Sequence, residues 1–240
     1  MNILITGGAS GLGEAITQRL AANKDDTVFF TYHKSLEKAN KLASAYPNVT
    51  GIHCDFHDQS KVDNLLTFIN SISLDILINN AFTSNITPKH FHKTDISIFN
   101  DNFHANIIPT VLITKQVILN FRKKKFGKII NILSSAIVGN PPVGWSEYTA
   151  EKAYLSSLSK SWAIENSAYN ITSNSISPSF MQTGFTVNTD DRVIEGIKGN
   201  HPYKELLTIS EVSDAVFFLS KCSQQINGVN LIMNAGAHVI

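Results

Sequence analysis

Short apolar runs alternate along this chain with stretches whose apolar residues recur every three to four positions, and the alternation continues to its end. Residues 2–6, 27–32, 49–54, 75–79, 127–133, 170–177 and 229–233 predict strands, and residues 11–23, 35–45, 58–71, 96–123, 146–168 and 209–221 predict amphipathic helices. Strands this apolar on both faces belong in a parallel sheet covered by helices on each side. Right-handed crossovers then give a doubly wound α/β sheet of about seven strands, with a ligand crevice at the carboxyl ends of the strands. No repeat, linker or low-complexity tract interrupts the pattern. With 240 residues and 43% hydrophobic composition, a single domain over 1–240 is expected.

The formal net charge is +1 and the charged fraction 16%, which leaves no global basic surface for nucleic acid. Arg122-Lys123-Lys124-Lys125 closes a helix, where cations complement the dipole. No apolar run reaches the ~18 residues of a membrane span, and the first strand begins without the segments of a secretion signal, so a cytoplasmic protein is expected. Cys54 and Cys222 are too few for a disulfide framework. In His53-Cys54-Asp55-Phe56-His57-Asp58, neighbouring strand residues point to opposite faces and cannot converge on one ion, so no metal site is expected there or at His90 and His92.

Two patterns carry chemistry. Thr6-Gly7-Gly8-Ala9-Ser10-Gly11-Leu12-Gly13 joins the first strand to the first helix, where glycines allow a tight turn and close approach of a pyrophosphate to the helix N-terminus. Tyr148 and Lys152 stand four residues apart on a helix, which brings their Cβ atoms to about 5–6 Å on one face. A free tyrosine has a pKa near 10, and lowering it by ~3 units requires about 4 kcal/mol of preferential phenolate stabilisation. A neighbouring ammonium and the positive ring of an oxidised nicotinamide act in that direction.

These motifs, with others in the same order, resemble the short-chain dehydrogenase/reductase family along essentially the whole chain, in its single-domain branch similar to 3-oxoacyl carrier protein reductases. Thr6, Gly7, Gly11 and Gly13 match its glycine turn, which also contains Ser10 and Leu12. Asp55, followed by Phe56, matches the acid that contacts adenine, and Asn79-Asn80-Ala81 matches the Asn-Asn-Ala-Gly turn, with Phe82 in place of the glycine. Asn106, Ser134 or Ser135, Tyr148 and Lys152 match the catalytic tetrad. Asn174, Pro178 and Thr183 match the segment that closes over the nicotinamide, with Ser179 in place of a glycine, and Ala235-Gly236-Ala237 stands where a glycine pair is common.

The resemblance implies hydride transfer between a nicotinamide and a ketone or secondary alcohol, with Tyr148 as general acid/base and Lys152 also holding the nicotinamide ribose. A serine would bind the reacting oxygen. Strand register favours Ser134, whereas the usual count of twelve residues before the tyrosine favours Ser135; we take Ser134. In the family the neighbourhood of Asn106 anchors a water chain that returns protons, and Pro109 is expected to kink that helix. The second strand ends in Thr31-Tyr32-His33-Lys34 without the acid that would repel a 2′-phosphate, so NADP(H) is expected, with His33 and Lys34 near it.

Residues 82–95 and 184–207 are long connections. The resemblance makes 184–207 a substrate lid, and Gly139, Pro141, Pro142, Val143 and Trp145 are expected to line the pocket. It also implies a homotetramer or homodimer, for which Tyr154, Leu155, Leu158 and Trp162 would supply apolar surface. Two other readings use the same residues: a non-catalytic NAD(P)-sensing protein on this fold, and an epimerase or dehydratase relative.

Overall fold

A computed structural model describes residues 1–82, 88–184 and 189–238. Seven strands form one parallel sheet in the order β3-β2-β1-β4-β5-β6-β7. They are β1 (Asn2–Ile5), β2 (Thr27–Tyr32), β3 (Val49–His53), β4 (Ile76–Asn79), β5 (Gly127–Ile132), β6 (Ile171–Pro178) and β7 (Asn230–Met233). The helices are α1 (Gly11–Ala21), α2 (Leu36–Ala45), α3 (Gln59–Ser71), α4 (Ile96–Asn102), α5 (Ile108–Lys124), α6 (Ser146–Asn166), α7 (Asp191–Asn200) and α8 (Ile209–Lys221). This is the doubly wound fold that the alternation predicts.

Strand periodicity divides the core into two. Ile3 and Ile5 of β1 pack with Ile16, Leu20, Val212 and Val216 of α1 and α8 on one face of the sheet. Leu4, between them, packs on the other face with Leu65 and Ile69 of α3 and with Val117 and Phe121 of α5. A capping box starts α8: the Thr208 hydroxyl accepts from the Glu211 amide, and Glu211 Oε2 accepts from the Thr208 amide at 2.8 Å. α5 ends at Lys124, and Lys125, the last of the basic cluster, turns the chain out of the helix with a φ of +56°.

Two predicted spans are corrected. Residues 96–123 are not one helix: α4 and α5 are separated by a π-turn over Phe103–Ile107, in which the Ile108 amide donates to the Phe103 carbonyl five residues back. Pro109 explains the break, because it has no N–H for the Ala105 carbonyl one turn earlier. Within 184–207 the chain forms α7, with Asp190 capping its first turn and only Ile194 buried. Residues 83–87, in the connection after β4, and 185–188, in the expected lid, lie outside the described residues.

Candidate active site

The turn between β1 and α1 is held from three sides. The Thr6 hydroxyl accepts from the Asn80 and Ala81 amides at 3.0 Å each, and Asn80 Nδ2 donates back to the Thr6 and Gly7 carbonyls at 3.0 and 3.1 Å. From β2, the Thr31 hydroxyl and carbonyl accept from the Gly7 and Gly8 amides at 2.9 Å. From α1, the Thr17 hydroxyl lies 2.9 Å from both the Gly8 and Gly13 carbonyls. A Cβ on Gly13 would lie 2.0 Å from the Gly7 carbonyl oxygen, so only glycine admits this packing.

This cradle fits a dinucleotide. The Ser10 side chain does not cap α1, which leaves the first-turn amides and the positive dipole end to an anionic group. Thr183, after β6, lies across the turn, with its Cβ 3.6 Å from where a Cβ on Gly11 would stand. At the neighbouring strand ends, His33 Nε2 lies 3.2 Å from Asp55 Oδ2, and Lys34 is exposed beside them. The side chains of Leu12 and Phe56, expected at the cofactor, belong to the core. Asn174 is used structurally: its amide donates to the Ile226 carbonyl and its oxygen accepts from the Val229 amide.

Beyond β4 and β5 lies a second group. The Leu133 amide continues the pairing to the Ile176 carbonyl, and Ser134 remains extended with its Oγ accepting from the Ala136 amide at 3.2 Å. The Ser134 hydroxyl also hydrogen-bonds the Tyr148 phenol. Ser135 starts the short 3₁₀ segment Ser135–Ile137. One turn along α6, Lys152 is 4% exposed, and its Nζ donates to the Ile132 carbonyl at 2.9 Å. Burial lowers the Lys152 pKa to about 8, against the opposing charge of Glu151.

The Tyr148 phenol departs from an ordinary tyrosine chiefly through its burial. Burial pushes the phenol above its ordinary value, and the Ser134 hydrogen bond only partly offsets this. Phe82 accounts for part of the desolvation: its ring centre lies 4.5 Å from Lys152 Nζ, and it packs edge-on against the Tyr148 ring at 5.2 Å. Trp145 packs against the same ring at 5.5 Å. Of the other expected lining residues, Gly139, Pro141, Pro142 and Val143 are exposed.

Asn106 occupies the π-turn. Its carbonyl accepts from the Thr110 hydroxyl at 2.7 Å, and its amide donates to Glu151 Oε2 at 3.1 Å. Glu151 is buried with Glu147 one turn before it, and burial raises the Glu151 pKa to about 7 despite the Asn106 hydrogen bond and the Lys152 charge. Among the described residues, no group of three or more His, Cys, Asp or Glu could hold a metal ion.

Comparison with known proteins agrees with this architecture. A family model described as short chain dehydrogenase matches residues 1–193. The chain belongs to the short-chain dehydrogenase/reductase family. It is 32% identical to the 3-oxoacyl-[acyl-carrier-protein] reductase FabG of Buchnera aphidicola subsp. Baizongia pistaciae, over 98% of this chain and 96% of that protein. It is 28% identical to the reductase MabA of Mycobacterium tuberculosis, over 98% and 92%. A solved short chain dehydrogenase/reductase family protein superimposes with a TM-score of 0.88 at 25% identity, covering 100% of this chain and 98% of that one. A putative gluconate dehydrogenase from Agrobacterium tumefaciens, 21% identical, shares the fold with a TM-score of 0.89, covering 100% and 96%.

As a member of this family the chain is a NAD(P)-dependent oxidoreductase acting on small molecules. Among the described residues no helix is long and apolar enough to cross a membrane. Sequence reasoning missed the contacts of Phe82 and Glu151. Phe82 left a signal, since it replaces the glycine of a turn beside the catalytic motif. Glu151 left a fainter one, a carboxylate next to Lys152 on the helix.

Proposed function

We propose that this enzyme reduces the ketone of a 3-oxoacyl thioester or a similar small carbonyl compound with NADPH, in a single-domain protein whose 184–207 segment covers the substrate. The observation that carries this reading is the hydrogen-bonded Ser134–Tyr148 pair one helical turn from the buried Lys152. Bound NADPH supplies the hydride to the carbonyl carbon. Ser134 and Tyr148 both address the carbonyl oxygen: the serine hydroxyl stabilises negative charge as it grows there, and the phenol gives up its proton to make the alcohol. A phenol held above about 10 is fully protonated at neutral pH, which is the form reduction requires. Lys152 then faces the phenolate with its positive charge until the phenol regains a proton.

Gly7, Ser10, Gly11, Gly13 and Thr183 would hold the pyrophosphate and nicotinamide side, with Asn80 fixing the turn that they form. His33, Lys34 and Asp55 would surround the adenosine end. The exposed Lys34 cation and the absence of an acid at the end of β2 favour a 2′-phosphate. Assembly into a homotetramer or homodimer would cover the outer faces of α5 and α6, where Leu119 and Tyr154 are exposed. Leu155 takes no part in such an interface, because it is buried within this chain against Ile107 and Leu133.

The test is NADPH oxidation with an acetoacetyl thioester and a panel of simple ketones. Wild-type protein should turn over, with a higher kcat/KM for NADPH than for NADH. Tyr148→Phe should lower kcat on the order of 10³-fold while NADPH fluorescence titration stays unchanged. Substantial turnover by that variant would refute Tyr148 as proton donor.

A further inference from the structure

α6 presents two adjacent stripes to the interior. Tyr148 and Lys152 form one. Glu147, Glu151 and Leu155 form the other, each four residues from the next and each buried. A hydrophobic side chain would satisfy such positions at lower cost, so two carboxylates here call for a reason. Glu151 has a defined engagement on one oxygen only. Oε2 takes the Asn106 amide across the junction between α6 and the π-turn, while Oε1 is buried and has no hydrogen-bond partner among the described residues.

Lys152 has a matching deficit. Its ammonium has the Ile132 carbonyl and the rings of Phe82 and Tyr148, all neutral, and among the described residues it forms no ion pair with any carboxylate within 4 Å. A buried cation with neutral partners depends on charge at longer range, and Glu151 is the adjoining residue. The other ionisable groups on the elements packed against this face are Asp101 on α4 and His104 in the π-turn, both exposed, and Lys128 on β5, which donates to the Cys222 carbonyl. The charges that bear on Glu151 are those of Lys152 and Glu147.

We infer that Glu151 is a positioning residue: it ties Asn106 to α6 and supplies the buried negative charge that keeps the Lys152 ammonium protonated beside Tyr148. The direction of each titration agrees with this. Burial strips protons from Lys152, and Glu151 is the group that acts against it. Burial displaces both titrations toward neutrality, so the charged pair exists together only at intermediate pH. The kinetic consequence rests on the reductase reading, whereas the titration of Lys152 does not.

Glu151→Gln tests this directly, because the amide keeps a carbonyl acceptor for Asn106 and removes the charge. Lysine ¹³Cε resonances of protein without added nicotinamide would be followed against pH, with the Lys152 signal identified by its loss in Lys152→Met. The Lys152 midpoint should fall by about one pH unit or more in Glu151→Gln, a tenfold loss of proton affinity, and the alkaline limb of kcat for NADPH and an acetoacetyl thioester should move down with it. An unchanged midpoint overturns the inference, and so does a moved midpoint with an unchanged rate profile. If wild-type protein turns over none of the ketones, the reductase reading fails, and the lysine titration alone decides the role of Glu151.

Discussion

At the glycine turn, the polar side-chain atoms of Thr6, Thr17, Thr31 and Asn80 are neutral and bonded to backbone groups of the turn and of β4's end. At the start of α6, Glu147, Glu151 and Lys152 are buried within two turns, and one Glu151 oxygen has no hydrogen-bond partner among the described residues. Both regions lie at the carboxyl ends of the strands. The side chains of the first are satisfied by backbone groups, so what they contribute is shape. The second carries charge whose desolvation is only partly compensated, so its behaviour depends on pH and on what binds beside it. A nucleotide-binding turn needs a fixed backbone, whereas an acid–base centre needs groups whose ionisation can change.

The largest effect that would sharpen this contrast comes from Gly13→Ala. The added methyl must displace the Gly7 carbonyl, which is backbone already tied to Asn80 Nδ2, so no flexible side chain can give way. We expect a loss of about 3 kcal/mol or more in urea unfolding, at every pH, together with loss of NADPH binding. A variant that unfolds at the wild-type urea concentration and binds NADPH normally would show that the turn is far more compliant than its hydrogen bonds imply.

The serines come next, and they probe chemistry with little stability cost. Ser134→Ala should lower kcat by roughly 10²-fold or more, the scale for losing a donor to a developing oxyanion, while Ser135→Ala costs far less. Steady-state kinetics of the two variants, with unfolding curves to show that both remain folded, provide the measurement. The opposite ranking would mean that the hydroxyl bonded to Tyr148 is not the one that meets the substrate.

Legibility in the sequence follows the same division. The strands and the glycine turn could be read because they depend on local periodicity and backbone chemistry. Pro109 marked the break after α4, yet a π-turn instead of a simple kink is decided by how the Phe103 carbonyl is satisfied, which no local pattern states. α7 escaped because it is short, contains Gly196 and Gly199 and buries only Ile194, so its composition reads as a connection. Phe82 and Trp145 reach Tyr148 from connections far apart in sequence. The raised phenol and the buried Glu151 depend on desolvation by these tertiary neighbours, and a charged residue on a helix reads as exposed until the fold covers it.

The smallest effect tests whether the α6 junction really holds uncompensated charge. Burial raises the Glu151 pKa from 4.5 to about 7, so between those values the folded chain keeps a proton that the unfolded chain releases. Stability therefore falls as pH rises from about 4.5 to about 7 and is flat above that on this account. Lys152 behaves in the complementary way. Its pKa is lowered from 10.5 to about 8, the unfolded chain holds the proton longer, and stability rises between those two values. Glu151→Gln removes the first dependence and makes the second slightly more costly, since Lys152 loses its opposing charge. The variant should be more stable than wild type at pH 8 by on the order of 1–3 kcal/mol, a few degrees in Tm, and the difference should close by pH 4.5. Thermal unfolding at pH 4.5, 6 and 8 measures it. A difference that is the same at all three values would mean that Glu151 titrates as it does in water, and the α6 junction would then be as relaxed as the glycine turn.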